Sequence, residues 1–336
     1  MNFGKIDQWI LFGGGQLLSG LSLKLKEQRF KVFVVTSDRH SSEFISISGK
    51  ITLRDFLIRN DIDFLVSDNV SNDREVISRI TNNTLGVSMG AAWIFKADFI
   101  KLFEGKLVNL HGTKLPQDRG GGGFSWRILR DDHLGISLIH QIDPGVDTGD
   151  IVKYAEYFFP DSCRVPIDYK NFCVDKYMEL LEEFLGDVLD GKDFELTKQH
   201  EYFSTYWPRL NTDIQGYIDW GWKLKDIERF ICAFDDPYNG ASTFINGIKV
   251  RLKKCFASIN DGAFHPFQKG MVYKISKYAV FVASEDGSLI IRNIRDENNT
   301  EIINKIKVGD RFYTPFKYLE EAKQFRAAYA PTGLKL

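Results

Sequence analysis

Residues 85–111 read LGVSMGAAWIFKADFIKLFEGKLVNLH. The two ends of this stretch, LGVSM and KLVNLH, are short apolar runs that predict β-strands. Between them, ADFIKLF carries apolar residues at three- and four-residue spacings, which predicts a helix. A strand, a helix and a second strand in this order form the repeating unit of a parallel sheet whose faces are covered by helices. The stretch therefore predicts an α/β fold.

The same alternation continues on both sides of this stretch. Three strands and three helices are predicted before it, and after it two strands are joined by the loop 143–149 and followed by a helix over about residues 169–189. We expect a Rossmann-like, mainly parallel sheet with helices on both faces, in a first domain of residues 1–205. The additional predicted strands are WILFG, KVFVVT, IDFLVS, LGISLIHQI and DIVKYAEYFF.

The pattern changes after residue 205. A predicted helix, KLKDIERFICAF, is followed by short alternating runs with turn signals between them. Asn246-Gly247 lies between two such runs, where it is typical of a two-residue type I′ hairpin turn. Residues 206–336 are therefore expected to form a linker and a small antiparallel β-domain of barrel-like, OB-type form.

Composition and charge exclude several classes of protein. No apolar run approaches the roughly 20 residues that cross a bilayer, and residues 1–7 lack the features of a secretory signal, so we expect a cytoplasmic protein without a membrane partner. The four cysteines show no metal-binding spacing, which predicts reduced, buried thiols and no bound metal. A formal net charge of −1 gives no general attraction to phosphate backbones and counts against a nucleic-acid partner.

A glycine cluster, LFGGGQLLSG, follows the first predicted strand and opens the first predicted helix. Gly13 and Gly15 match the start of a dinucleotide-binding fingerprint, but the position of its third glycine holds Leu18 and the expected acid is at best Asp38. The incomplete match favours a tight strand-to-helix turn over a dinucleotide site. Contact with some other cofactor is a third interpretation.

Asn109 and His111 are the first candidate site residues. Side chains two residues apart in a strand point to the same face, so the two project together at the carboxyl end of KLVNLH, where open α/β sheets bind ligands. The loop after the next strand supplies Asp143, Asp147 and Asp150, one of which is expected to face His111 and orient its imidazole. The alternatives are a hydrogen-bonded core histidine and a β-turn whose aspartates cap their own backbone amides.

Two motifs resemble those of a known family. NLHGTKLPQDRG (109–120) is similar to the Asn-x-His-x-Ser-Leu-Leu-Pro-x-x-Arg-Gly motif of formyltransferases that use N10-formyltetrahydrofolate, and DPGVDTGDI (143–151) resembles their Asp-x-Gly-x-Asp-Thr-Gly-x-Ile loop. The separation of His111 and Asp147 fits the family as well. Residues 218–250 are similar to the join between the catalytic and barrel-like domains of methionyl-tRNA formyltransferase and its sugar-modifying relatives. The likeness thus spans nearly the whole chain.

The resemblance implies a formyl transfer mechanism. An uncharged amine attacks the formyl carbon, a tetrahedral oxyanion forms, and the proton lost by the amine travels to the departing folate nitrogen. By match to the motifs, Asn109 donates to the oxyanion, His111 handles the proton or polarises the formyl oxygen, and Asp147 orients His111 and stabilises its charged form. N10-formyltetrahydrofolate, the formyl donor, is expected against two backbone segments, represented by Met89, Gly90, Ala91, Asp143, Gly145 and Val146.

The acceptor is expected beside the glycine run. In the family the Arg-Gly pair leads into a helix next to the acceptor site, and bare amides at a helix start suit an anionic or bulky acceptor. A flexible loop without a ligand is the alternative. Thr113, Lys114 and Asp118 depart from the family pattern on this side and leave the identity of the acceptor open. The candidate acceptor-binding residues are Thr113, Arg119, Gly120, Gly121, Gly122, Gly123 and Trp126.

Two further stretches bear on the acceptor. The tRNA-modifying relatives have a basic insertion after the second strand, whereas residues 37–51 here are polar but hardly basic, which disfavours tRNA. Lys249, Arg251 and Lys253 share one face of a predicted strand and are expected to form a solvated sheet face. The resemblance therefore implies transfer to the amino group of a nucleotide-linked aminodeoxy sugar for surface polysaccharide, including lipopolysaccharide, biosynthesis.

Three alternatives stay open at this point. They are a methionyl-tRNA formyltransferase, a folate-binding or formyl-hydrolysing relative, and a catalytically silent interaction protein. The sequence does not fix the oligomeric state, for which a homodimer is one option.

Overall fold

The computed structural model describes residues 1–45, 50–121 and 123–327, together with the backbone of two short strands near the carboxyl end. The first 158 residues contain β1 (Gln8–Gly13), β2 (Lys31–Thr36), β3 (Asp63–Val66), β4 (Thr84–Met89), β5 (Leu107–His111), β6 (Arg119–Gly120), β7 (Leu134–Gln141) and β8 (Ile151–Phe158). The helices up to residue 189 are α1 (Gly15–Glu27), α2 (Asp38–Ser42), α3 (Leu53–Arg59), α4 (Arg74–Arg79), α5 (Ala97–Lys101), α6 (Gly123–Arg130) and α7 (Pro166–Leu189).

Seven of these strands form one sheet in the order β3-β2-β1-β4-β5-β7-β8. The first five strands in that order are parallel, and β7 and β8 are antiparallel additions beyond β5. The chain moves outward from β1 to β3 and then returns to the other side of β1 with β4, which creates the switch point at which open α/β sheets bind ligands. The expected mainly parallel sheet with covering helices is confirmed.

The alternation of side chains along β1 explains why both faces of the sheet are covered. Trp9 and Leu11 belong to a buried cluster that includes α1, α3 and α7, whereas Ile10 and Phe12 belong to a second cluster on the opposite face. Strands buried on both faces have near-continuous apolar sequences, as QWILFG and KVFVVT do. Helix α7 begins at Pro166, about one turn earlier than predicted, because proline is well accommodated in the first turn of a helix.

The second unit is an antiparallel β-structure with accompanying helices. Its elements are β9 (Tyr206–Trp207), α8 (Thr212–Gln215), α9 (Leu224–Ala233), β10 (Ala241–Ile245), β11 (Ile248–Ser258), β12 (Val272–Ser276), β13 (Ala279–Ser284), β14 (Gly287–Asp296), β15 (Phe312–Tyr313), α10 (Phe316–Gln324), β16 (Tyr329–Ala330) and β17 (Gly333–Leu334).

Six strands of this unit pair in the order β12-β13-β14-β11-β10-β15. The two ends of this sheet approach each other, because Met271 and Arg311 form an antiparallel bridge and the Val272 amide donates to the Asp310 carbonyl at 2.8 Å. This closure confirms the barrel-like form. Asn246 and Gly247 have φ angles of 50° and 78°, as the predicted type I′ hairpin turn requires.

The two units share one buried core. Ile128 of α6 and Phe159 lie in the same cluster as Ile231 of α9 and Leu252 of β11. Strand β9 also pairs with β6 of the first unit, so the chain stays in contact with the first unit beyond residue 205. The division at residue 205 therefore stays a prediction.

The cysteines agree with the expectation from the sequence. The four cysteines are buried and free of disulfide bonds, as predicted. Within the described part of the chain, none of the helices has the length and apolar character needed to cross a membrane.

Phe12 is expected to contribute strongly to stability. Its buried ring makes edge contacts with Phe95, Phe99 and Phe103 at centroid distances of 5.2 Å, 6.0 Å and 6.1 Å. Phe12→Ala should lower the free energy of unfolding by about 3–5 kcal/mol, as large-to-small core substitutions do. Urea unfolding measures this loss, and Phe158→Ala, at a 76% exposed position, serves as the control that should change little. A loss of unfolding free energy below about 1 kcal/mol for Phe12→Ala would contradict the packing of the Phe12 ring in this core.

Candidate active site

Asn109, His111 and Asp147 meet at the carboxyl end of β5. Asn109 and His111 lie two residues apart on that strand, and Oδ1 of Asp147 lies 3.7 Å from Nδ1 of His111. The three side chains line a cavity of about 740 Å³. Its walls come from the segment after β4, the loop after β7 and the glycine run before α6.

The hydrogen bonds of His111 define which of its nitrogens carries a proton. The Thr113 hydroxyl donates its own hydrogen to the Asp118 carbonyl, so it accepts the hydrogen of His111 Nε2, which lies 2.6 Å away. The neutral ring therefore has its lone pair on Nδ1, the atom that faces Asp147. A proton taken up at Nδ1 would lie beside the Asp147 carboxylate, which is the arrangement that an acid–base histidine needs.

A second histidine, His140 on β7, orients Asn109. The two residues are directly opposite each other in the β5–β7 ladder, and Asn109 Nδ2 lies 3.1 Å from His140 Nε2. His140 Nδ1 lies 2.7 Å from the Gln141 carbonyl and must donate to it. Nε2 is therefore the acceptor for Asn109, whose amide keeps its second N–H for a ligand in the cavity.

His140 is uncharged in the folded protein. Burial, reinforced by repulsion from His111, lowers the pKa of His140 to about 4. The hydrogen-bond pattern independently requires the neutral ring, because a protonated Nε2 could not accept from Asn109. The two imidazoles thus differ in role, although their ring centroids are only 5.9 Å apart.

Asp147 lies between these two rings. Oδ1 is 3.7 Å from His111 Nδ1 and 3.8 Å from His140 Nε2, and Oδ2 accepts the Gly120 amide hydrogen at 3.1 Å. The backbone of Asp147 has a φ of 54°, in the left-handed region. This conformation is uncommon for residues other than glycine and is maintained only where neighbouring contacts hold it.

His111, His140 and Asp147 are close enough together to hold a metal ion. Ligand atoms of His111, His140 and Asp147 lie within 4.8 Å of one another. Both ring nitrogens of His140 are already engaged, one with Asn109 and the other with the Gln141 carbonyl. Metal binding through His140 would break one of these bonds, so the arrangement favours acid–base chemistry.

Comparisons with known proteins point to formyltransferases. Residues 212–305 match the family model of the formyl transferase C-terminal domain. Methionyl-tRNA formyltransferase of Acetivibrio thermocellus is 27% identical over 267 residues, which are 77% of this chain and 83% of that protein. The chain is therefore similar to formyltransferases over most of its length.

Two solved structures of N-formyltransferases share the fold. WlaRD, a sugar 3N-formyl transferase crystallised with dTDP and 5-N-formyl-THF, superposes with a TM-score of 0.64 at 19% identity, over 85% of this chain and 97% of that one. The Helicobacter canadensis N-formyltransferase, in complex with folinic acid and dTDP-3-aminofucose, gives 0.62 at 19% identity, over 85% and 98%. At this level of identity the likeness concerns the fold.

The residues predicted to contact the formyl donor lie around one side of the cavity. Gly90, Ala91, Gly145 and Val146 line it, whereas the Met89 side chain is buried in the sheet core. Asp143 also lines the cavity, but its carboxylate accepts hydrogen bonds from the Gly145 amide and the Thr148 hydroxyl. Asp143 therefore caps its own turn, which was the alternative reading of this loop, while Asp147 faces His111. The donor contacts stay predictions.

The residues predicted to bind the acceptor fall into two groups. Gly120, Gly121 and Gly123 line the cavity, and Gly122 lies outside the described residues. The side chains of Thr113, Arg119 and Trp126 do not line it: the first contacts His111, the second is buried, and the third donates from Nε1 to the Pro208 carbonyl. Their contact with an acceptor stays a prediction.

The glycine run has a packing role that its sequence did not reveal. A Cβ on Gly120, whose φ is 98°, would lie 2.5 Å from the Trp207 carbonyl oxygen. A Cβ on Gly123 would lie 2.7 Å from the Thr113 methyl group, and Thr113 holds His111. These glycines permit the close approach of β9 and Thr113, and so support the site whether or not their amides meet a ligand.

Sequence reasoning missed several residues of this site. His140 stands in the motif HQIDPGVDTGD, of which only the acids were predicted to belong to the site. It lies directly across the ladder from Asn109, a pairing that the motif does not show. Arg39, Arg209 and Tyr238 line the cavity from distant parts of the chain, and no local pattern marks them.

The lowered pKa of His140 predicts a pH dependence of stability. A histidine whose pKa is lower in the folded than in the unfolded chain binds fewer protons when folded, so stability is full above about pH 6.5 and falls as the pH drops toward 4. A shift of this size corresponds to about 3 kcal/mol. Unfolding free energies measured by urea between pH 4 and 7 should fall less steeply for His140→Gln than for the natural chain. Identical slopes would show that His140 is not held neutral.

Proposed function

We propose that this chain transfers the formyl group of N10-formyltetrahydrofolate to the amino group of a nucleotide-linked aminodeoxy sugar. The observation that carries the proposal is the cluster of Asn109, His111 and Asp147 at the wall of one cavity. One amide donor, one imidazole and one carboxylate suffice for acyl transfer between nitrogens.

The cavity has walls that fit a folate. Trp93, Phe95 and Ile142 give it apolar surface next to the backbone of Gly90 and Gly145. A planar heterocycle with polar edges is suited by apolar walls and nearby peptide groups. The folate supplies an activated formyl group, and the protein supplies the donor to the oxyanion and the groups that move the proton.

Each of the three side chains has a defined part in that reaction. The free N–H of Asn109 donates to the formyl oxygen as negative charge develops there. His111 takes up a proton at Nδ1 as the attacking amine becomes acidic, and Asp147 stabilises the resulting charge from 3.7 Å. His111 then returns the proton to the departing folate nitrogen.

The charges near the cavity support a small, anionic acceptor. Arg39 and Arg209 both line the cavity, and Tyr238 adds an aromatic ring. Guanidinium groups pair well with phosphate oxygens, and an aromatic ring can pack against a sugar or a base. A nucleotide-linked sugar carries a diphosphate of this kind between its base and its sugar.

The basic stripe on β11 does not support a tRNA acceptor. The expectation of a solvated face was wrong, because the side chains of Lys249, Arg251 and Lys253 are only 16–19% exposed. Each pairs with an acid, and the pairs are Lys249–Glu297, Arg251–Asp213 and Lys253–Asp236. Residues 37–51 contain two acids against one arginine and one lysine, so this segment has no excess of positive charge with which to hold the many phosphates of a tRNA.

Methionyl-tRNA is the second candidate acceptor. It is favoured by the curated relatives, of which the Acetivibrio thermocellus and Clostridium tetani proteins are methionyl-tRNA formyltransferases 27% and 24% identical to this chain. The two acceptors differ in a measurable way, because tRNA is held through many phosphates and a sugar nucleotide carries only its diphosphate.

A direct assay separates these candidates. The protein is incubated with N10-formyltetrahydrofolate and either a panel of nucleotide-linked aminosugars or methionyl-tRNA, and release of tetrahydrofolate is followed by absorbance. Turnover with an aminosugar, with a KM that changes little between about 50 and 200 mM salt, supports the proposal. Turnover with methionyl-tRNA alone, weakening steeply over the same range, would favour the second candidate. Folate release without any acceptor would instead indicate a formyl hydrolase.

Loss of any member of the cluster should reduce turnover without unfolding the protein. Asn109→Ala should lower kcat by about 10²- to 10³-fold, the usual effect of losing one donor to a developing oxyanion. Asp147→Asn should also lower kcat, because His111 loses its charge partner. Asp150→Asn is the matched control from the same loop and should retain most activity. If Asp150→Asn abolished turnover while Asp147→Asn did not, the orienting acid would have to be reassigned.

A further inference from the structure

Gln199 connects the loop after β7, which carries Asp147, to a segment that is distant in the sequence. It lies outside both sequence motifs, in the stretch between α7 and β9. Its Nε2 donates to the Asp147 carbonyl at 3.0 Å and to the Gly149 carbonyl at 2.7 Å. One side chain thus holds the backbone on both sides of Thr148.

Arg119 fixes the orientation of the Gln199 amide. Its Nε and Nη2 both donate to Gln199 Oε1, at 3.3 Å and 3.2 Å, while Nη1 donates to Glu201 at 2.7 Å. A flipped amide would place its NH₂ group against the guanidinium and its oxygen against two carbonyls. The buried Arg119 side chain therefore permits only the amide orientation in which Gln199 Nε2 donates to the two loop carbonyls.

The segment that carries Gln199 is itself anchored. Thr197 and Ile151 exchange two backbone hydrogen bonds of 2.9 Å, and the Arg119 amide donates to the Thr205 carbonyl at 3.1 Å. Gln199 lies between these two anchors. Its amide is therefore a fixed point relative to β8 and β6 rather than part of an independent loop.

Asp147 needs such support. Its φ of 54° lies in the left-handed region, which is unfavourable for residues other than glycine. The carboxylate end is held by the Gly120 amide and the carbonyl end by Gln199. Without the second contact the backbone could relax, and Oδ1 would leave its place between His111 and His140.

We propose that Gln199, oriented by Arg119, is a positioning residue that holds Asp147 beside His111 during formyl transfer. The expected effect on kcat rests on the proposed function, whereas the expected effect on the position of the Asp147 loop does not. Gln199 touches neither reacting group; it acts through the backbone of Asp147.

Three variants test this role by kinetics. Gln199→Ala removes all its contacts, and Gln199→Glu keeps the pairing with Arg119 but replaces the donor to the two carbonyls by an acceptor. Both should lower kcat by about 10- to 100-fold with little change in either KM, since a misplacement of about 1 Å costs up to 10²-fold. Glu201→Ala, which removes the other partner of Arg119 at an exposed position, is the control and should change kcat by less than about 3-fold.

A double-mutant cycle shows whether the effect passes through Asp147. In an Asp147→Asn background, where the charge partner of His111 is already lost, Gln199→Ala should lower kcat by no more than about 2-fold further. Full additivity of the two losses would overturn the proposal, as would an unchanged kcat in Gln199→Glu.

Amide hydrogen exchange tests the positioning independently of activity. The Gly120 amide donates to Asp147 Oδ2, so it reports whether this carboxylate stays in place. Its exchange should be at least 10-fold faster in Gln199→Ala and unchanged in Glu201→Ala. If no amine is formylated by the natural chain, the proposed function fails, and this exchange rate alone decides the role of Gln199. Unchanged exchange in Gln199→Ala would overturn the positioning role whether or not transfer is found.

Discussion

The site depends on one carboxylate held in a place that the backbone does not favour. Asp147 adopts a left-handed conformation and puts Oδ1 within 3.7 Å and 3.8 Å of two different imidazoles. Because β7 runs antiparallel to β5, the loop after β7 leaves the sheet beside the amino half of β5 and must fold back to bring Asp147 to His111. The contacts from Gly120 and Gln199 make that return possible.

Burial separates the roles of two chemically identical side chains. The His140 side chain is only 3% exposed, which keeps it uncharged and leaves Nε2 as an acceptor for Asn109. The His111 side chain is 12% exposed at the cavity wall and faces a carboxylate with the nitrogen that has no hydrogen. One ring therefore fixes the amide that meets developing negative charge, and the other presents a nitrogen lone pair to the Asp147 side of the cavity wall.

The second unit contributes to the site mainly through packing. Trp207 on β9 lies so close to Gly120 that only glycine fits there, and Gly120 in turn donates to Asp147. The core of the second unit continues into α6, which begins at the glycine run. Arg251 and Lys253 on β11 form ion pairs with acids of the same unit. These observations connect the barrel-like unit to the geometry of the cavity.

The sequence by itself determined the class of fold and the core of the site. Apolar alternation predicted β5 and its neighbours because the strands are buried on both faces, and the spacing of Asn109 and His111 placed both on one face of a strand. The two motifs also carried the resemblance that the family comparisons confirm.

Only the tertiary structure decided how these residues are held and what surrounds them. Asp147 could be singled out from Asp143 and Asp150 by resemblance, but its place between His111 and His140 arises from a loop that folds back and is held by Gln199. Likewise, Arg39, Arg209 and Tyr238 reach the cavity from distant points in the chain. Contacts of this kind depend on which elements, distant in the sequence, come together in the folded chain. A local pattern of residues does not contain that information.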